Sequence, residues 1–128
     1  MTPRKNVLVV DHDGDVRQVV ADLLLDLGYL VTLAKDAATM RAVLVAEGID
    51  LVVLDASTSK AEEVALATRA RKRGVRLVMI SGHPDVMEAF QDRADQLLWK
   101  PFAGEALKRA VDHVLASGTF GQRREDPD

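Results

Sequence analysis

Leu51-Val52-Val53-Leu54 is an apolar run held between Asp50 and Asp55, and two other stretches repeat its design. Val7-Leu8-Val9-Val10 lies between Asn6 and Asp11, and Leu77-Val78-Met79-Ile80 precedes Ser81-Gly82. A strand that is apolar at consecutive positions has no face to offer to water, so it must be covered on both sides, as in a parallel sheet between helices. Tyr29-Leu30-Val31-Thr32-Leu33 and Leu97-Leu98-Trp99 are two further strand candidates of mixed polarity.

Between these runs the apolar spacing turns helical. Val16, Val19, Val20, Leu23, Leu24 and Leu27 recur at intervals of three and four, and Gly28 stands where that helix should stop. Asp36 is placed to cap a helix running through Met40 and Leu44 to Gly48. Ser59-Lys60-Ala61-Glu62 has the form of a capping box opening a helix to Arg73, ahead of Gly74. Pro84 suits the first turn of a short helix through Val86, Met87 and Phe90, and Leu107, Ala110, Val111, Val114 and Leu115 form the apolar side of a last one. The expectation is an α/β fold, a doubly wound five-stranded parallel sheet built from five βα units with right-handed crossovers.

The 128 residues provide for one domain, with 48% hydrophobic and 29% charged residues. Its expected extent is 6–116, after an N-terminal extension over 1–5 and before a polar tail or linker start over 117–128. A net charge of −3 gives no reason to expect direct nucleic-acid contact, and Arg123-Arg124 is offset by Glu125-Asp126. The absence of cysteine excludes thiol chemistry and thiolate metal sites. No apolar run approaches membrane-spanning length and no secretory leader pattern follows Met1, so the expected setting is the cytoplasm. The basic cluster Arg69, Arg71, Lys72, Arg73 and Arg76 is read as a solvated helix end.

In open parallel sheets, ligands bind beyond the carboxyl ends of the strands. The residues that follow the strands here are Asp11-His12-Asp13, Asp55, Ser81-Gly82-His83 and Lys100-Pro101-Phe102. Clustered carboxylates repel one another unless a cation neutralises them, so Asp11 and Asp55 point to a hard divalent metal such as Mg²⁺. A carboxylate such as Asp55 can attack phosphorus to form an acyl phosphate. Lys100 would present a point charge to the phosphoryl oxygens and Ser81 a hydroxyl donor. Neither GxGxxG nor GxxxxGK[ST] occurs, which counts against a nucleotide- or flavin-binding protein.

Taken in order, VLVVDHDGDVR, DLVVLD, VMISG and LLWKPF make the chain, from about Asn6 to Leu115, resemble the receiver domain of two-component response regulators, chemotaxis-regulator-like in form. The resemblance implies a flavodoxin-like sheet of order 2-1-3-4-5 and a phosphoryl group accepted on Asp55 from a sensor histidine kinase or a phosphotransfer protein. It also implies Mg²⁺ held by Asp11, Asp55 and the backbone carbonyl of Ser57, with Ser81 and Lys100 binding the phosphoryl group. The domain would act as a signalling switch rather than as an enzyme, its chemistry confined to gain and loss of phosphate at Asp55. Output would reach a downstream protein through the fourth helix, fifth strand and fifth helix, faces on which such domains also pair as homodimers.

Several positions depart from the family pattern. His12 stands where the second acid of the first turn is usual, and imidazole suits softer metals than Mg²⁺. If His12 faces the site, Mg²⁺ binding is weakened or another divalent metal replaces it. Asp13 and His83 would then lie around the site; Asp13 is expected to cap the first helix, and His12 with His83 reads as polar loop residues before it reads as a metal pair. The loop Asp55-Ala56-Ser57-Thr58-Ser59 lacks the usual Met-Pro, and Leu97 occupies the position of the switch aromatic. Trp99 shares its strand parity and is read as half-buried packing. These departures leave a second reading open, a phosphorylation-independent pseudo-receiver acting as a protein-interaction module.

Overall fold

The computed structural model describes residues 4–57 and 60–117, with the side chain of Ser117 left out. Ten elements alternate along the chain: β1 (Asn6–Val10), α1 (Gly14–Asp26), β2 (Leu30–Ala34), α2 (Ala37–Ala46), β3 (Leu51–Asp55), α3 (Ala61–Lys72), β4 (Arg76–Ser81), α4 (Pro84–Phe90), β5 (Gln96–Trp99) and α5 (Gly104–Ser117). All strand pairings are parallel and the order is β2-β1-β3-β4-β5, the expected flavodoxin-like arrangement.

The period-2 alternation of strand side chains sends each central strand into two cores. Leu8, Val10, Val52, Leu54, Leu77 and Met79 face one side, where Met40 of α2 and Val64 and Ala67 of α3 cover them. Val7, Val9, Leu51, Val53, Val78 and Ile80 face the other, against Val20 and Leu24 of α1 and Leu107, Val111 and Val114 of α5. The apolar continuity of β1, β3 and β4 is thus accounted for, since both faces of the three strands are dry. Each fully buried Val, Leu or Met contributes on the order of 1.5–3 kcal/mol of transfer free energy. Among the described residues no helix is long and apolar enough to cross a membrane.

Three local expectations need correcting. The second strand begins at Leu30 rather than Tyr29, because the Tyr29 N–H closes the end of α1 on the Leu24 carbonyl at 3.2 Å while its hydroxyl donates to Asp112 of α5. Gly28, at φ +94°, makes that left-handed turn. The third helix starts one residue late for the expected capping box: Lys60 is the N-cap residue, and its N–H donates at 2.8 Å to Glu63, not Glu62. Glu62 pairs with Arg41 instead, and Ser59 lies outside the described residues, as do Thr58 and the tail over 118–128. The basic cluster is also not merely solvated. Arg71 reaches Asp95 at 3.0 Å and Arg76 lies 4.0 Å from the same carboxylate, which in turn accepts the Leu77 N–H at 2.8 Å.

Candidate functional site

The pairing registers set Val10 beside Leu54, Asp55 beside Ile80 and Ser81 beside Trp99, so β1, β3, β4 and β5 finish along one edge. The residues that follow each strand therefore meet there without any long loop. Asp11, Asp55 and Ser81 are buried, at 3%, 2% and 0% exposure. Lys100 crosses the end of β4 to place its ammonium on Asp55 Oδ2. Gly82 lies against the stem of Lys100, where a Cβ would stand in ordinary contact, 3.4 Å from Lys100 Cβ.

Electrostatics divide the two carboxyls. Burial pushes Asp11 up to about 6; the Asp13 N–H opposes this, and the neighbouring charge and hydrogen bond of Asp55 reinforce it. Burial would also raise Asp55, but the hydrogen bond from Lys100, the one from Asp11 and the Ser57 N–H together hold its carboxyl below the usual range. The Ser57 N–H donates to Asp55 Oδ1 at 2.9 Å and its Oγ lies 3.1 Å from Ser81 Oγ. Asp55 is thus the more readily ionised of the two, oriented by a cation and a backbone donor. It has the state a nucleophile toward phosphorus needs.

Asp13 performs the capping expected of it, accepting the N–H groups of Asp15 and Val16, while its own N–H donates to Asp11 Oδ1 at 2.9 Å. His83 enters through its backbone, the N–H donating to Ser81 Oγ at 3.0 Å, and its side chain is exposed. Leu97 packs into the core on the α2–α3 side, and Trp99, two residues on, is about half exposed at 49%.

Two participants were not anticipated. Glu63, 1% exposed, accepts His12 Nε2, with its two oxygens 3.0 and 2.8 Å from that nitrogen. His12 is therefore committed to α3. Arg17 donates to the backbone carbonyl of Asp11 at 2.6 Å, fastening the β1–α1 loop from the other side. No local signal marks the first, since Glu63 lies 51 residues from His12 and is buried only by the packing of α3. Nothing in the spacing of α1 distinguishes the second.

The donor set suits a small hard cation: two buried, mutually repelling carboxylates and no sulfur. Among the described residues no group of three His, Cys, Asp or Glu converges, so the protein side chains available to a cation there are the carboxylates of Asp11 and Asp55. Beside the site a groove of about 340 Å³ runs between α1 and the start of α5, lined by Val16, Val19, Leu23 and Phe102 among others. Val19 is 59% exposed there.

Comparison with known proteins agrees with this fold. The family model of the response regulator receiver domain matches residues 7–112. Regulatory protein VirG of Agrobacterium fabrum is 30% identical over 105 residues, covering 78% of this chain and 42% of that protein. The probable transcriptional regulator ycf27 of Cyanidium caldarium is 25% identical over 114 residues, covering 86% of this chain and 46% of its own length. This chain thus spans about half or less of those two relatives. Among solved structures, the receiver domain of NtrX from Brucella abortus superposes with a TM-score of 0.77 at 30% identity, covering 87% of this chain and 98% of that one. A CheY-like receiver domain from Methanospirillum hungatei, 22% identical, shares the fold with a TM-score of 0.82 over 93% of this chain and 99% of its own.

Proposed function

Because the chain belongs to the response regulator receiver domain family, we propose that it accepts a phosphoryl group on Asp55 from the phosphohistidine of a sensor kinase or phosphotransfer protein and signals by changing shape. The observation that carries this reading is the pairing of an ionised, buried Asp55 with the Lys100 ammonium on the strand-end edge. In the transfer, an Asp55 carboxylate oxygen forms a bond to phosphorus as the P–N bond of the donor breaks. The donor imidazole keeps the bonding electron pair and takes up a proton.

Lys100 and the Ser57 N–H fix the nucleophile and lower the cost of charge building on the phosphoryl oxygens. A bound Mg²⁺ would be held by Asp11, Asp55 and the Ser57 carbonyl, and would neutralise the charge gathered between carboxylates and phosphate. Ser81 Oγ accepts from the Ser57 hydroxyl and the His83 N–H in this structure. Once a phosphoryl group stands on Asp55, the Ser81 hydroxyl gains a charged acceptor to donate to, and turning toward it draws the β4–α4 loop with it. The change would be read on α4, β5 and α5, where Trp99 is the exposed aromatic. The phosphodonor has to approach over the open edge, and the apolar groove around Val19 lies beside that approach.

Intact mass after incubation with a small phosphodonor and Mg²⁺ tests the proposal. One phosphoryl mass should appear and Asp55→Asn should abolish it. An unchanged mass under every divalent metal tried would leave the chain as a phosphorylation-independent interaction module.

A further inference from the structure

A second groove, of about 340 Å³, runs between α3 and α4, on the side of the sheet away from α1 and α5. Ala61, Val64 and Ala65 form one wall and Phe90 the other. The α3 residues recur at three- and four-residue spacing and so share one face of the helix. Ala61 and Ala65 are exposed, and their small side chains leave the space open. Among the described residues no part of the lining belongs to β5 or α5, so the groove is distinct from the face proposed for output.

Its charge is one-sided. Lys60 lines it at the start of α3, and Arg93, past the end of α4, lines it from the facing wall, its guanidinium 5.5 Å from the centroid of the Phe90 ring. No carboxylate pairs with either cation among the described residues. The first-turn acids of α3 are turned away: Glu62 pairs with Arg41 of α2, and Glu63 is buried against His12. Asp85 and Glu88 of α4, and Asp92 after it, are exposed but do not line the groove. The chain as a whole carries −3, so a positive groove is a local feature and not the general character of the surface.

An apolar floor with a cation on each wall matches one kind of occupant. We propose that this groove docks an acidic amphipathic peptide segment of a partner protein, its apolar side chains seated between Ala65 and Phe90 and its carboxylates meeting Lys60 and Arg93. From Lys60 to Thr68 the α3 wall rises about 12 Å, so two turns of a partner helix span it. A contact this small gives weak, exchanging binding of the kind found in transient signalling encounters. A basic segment would meet two like charges, and an uncharged one would leave both cations uncompensated.

The test is an NMR titration of the ¹⁵N-labelled whole chain, without phosphodonor, with three synthetic helical peptides. One carries Glu and Asp around leucines at helical spacing, one has Lys in place of its acids, and one has Ser in place of its leucines. The first should shift the amides of Ala61, Ala65, Phe90 and Arg93, and the other two should not. Ala65→Arg fills the groove while adding positive charge, and should weaken binding roughly tenfold or more. Arg93→Gln should weaken it roughly two- to fivefold. Both positions are exposed, and the spectra report folding in the same experiment. Should a variant not fold, the three peptides on wild type decide alone. No shift at millimolar acidic peptide, shifts confined to other elements, equal binding of either control peptide, or a folded Ala65→Arg chain that binds as wild type does overturns the proposal. So does movement of the same amides on concentrating the chain alone, which would make a second copy the occupant. Phosphoryl gain at Asp55 is read separately by mass, so failure here leaves the proposed function standing.

Discussion

Lys100 and Asp55 lie 45 residues apart, at the ends of β5 and β3, and their side chains meet across the end of β4, the strand between them. The contact closes the pocket and leaves Asp55, at 2% exposure, with a compensated charge. Lys100→Met keeps the stem and removes that charge. The Asp55 carboxyl should then move upward, visible in a carbon-detected NMR titration, because burial is no longer opposed by the ammonium. In wild type the lowered Asp55 value contributes stability that is present at neutral pH and lost on acidification below its ordinary value. In the variant that contribution should be absent, costing about 1–3 kcal/mol at pH 7 in chemical denaturation. An unmoved Asp55 titration would mean that Lys100 does not set its ionisation.

The apolar groove gives a prediction that separates docking from chemistry. Val19 is 59% exposed beside the site and touches none of the reacting groups. Val19→Asp should slow transfer from a histidine kinase that phosphorylates wild type, roughly tenfold or more, since charge in an apolar contact is costly. Labelling by a small phosphodonor should be unchanged. Equal losses with both donors would move the effect from docking to the site.

Backbone geometry supplies a third. Gly74 ends α3 at φ +101°, and a Cβ there meets nothing within 4 Å. Space is therefore not the issue, and Gly74→Ala should cost only the left-handed strain, about 1–2 kcal/mol in urea denaturation, with phosphorylation unaffected.

How far the chain's own letters reach is clearest from which physics acts locally. The three double-sided strands were legible because burial on both faces leaves an apolar run, and the site followed because a parallel sheet delivers its strand ends to one edge. Asp13 and Asp36 were legible as caps for the same local reason. Tyr29 was assigned to the strand because its tertiary bond to Asp112, 83 residues away, has no local signature. The direction taken by His12 is the same kind of case. Spacing marks it as a departure at the second acidic position, but only the packing of α3 brings Glu63 to it, 51 residues on. Asp95 went unseen as an anchor for Arg71 and Arg76 because ion pairing at a sheet end depends on strand order, not on neighbouring letters.

Asp11 carries the last prediction. Its carboxyl is raised from 3.8 to about 6, chiefly by burial and then by Asp55. A raised acid means that the folded chain keeps a proton which the unfolded chain releases, so stability falls as pH rises between these two values and levels off above them. The gap corresponds to about 3 kcal/mol of ionisation cost at neutral pH. Asp11→Asn, measured with chelator present so that no cation offsets the charge, should therefore be more stable than wild type by about 2–3 kcal/mol at pH 7. That advantage should shrink through pH 5 and disappear near pH 4, where wild-type Asp11 is protonated in the folded state. Thermal melts across this range read the slope directly, and parallel stability profiles for the two proteins would show that Asp11 ionises at no cost. Adding Mg²⁺ with beryllofluoride should narrow the gap at pH 7, because wild type regains a counter-charge that the asparagine cannot hold as well.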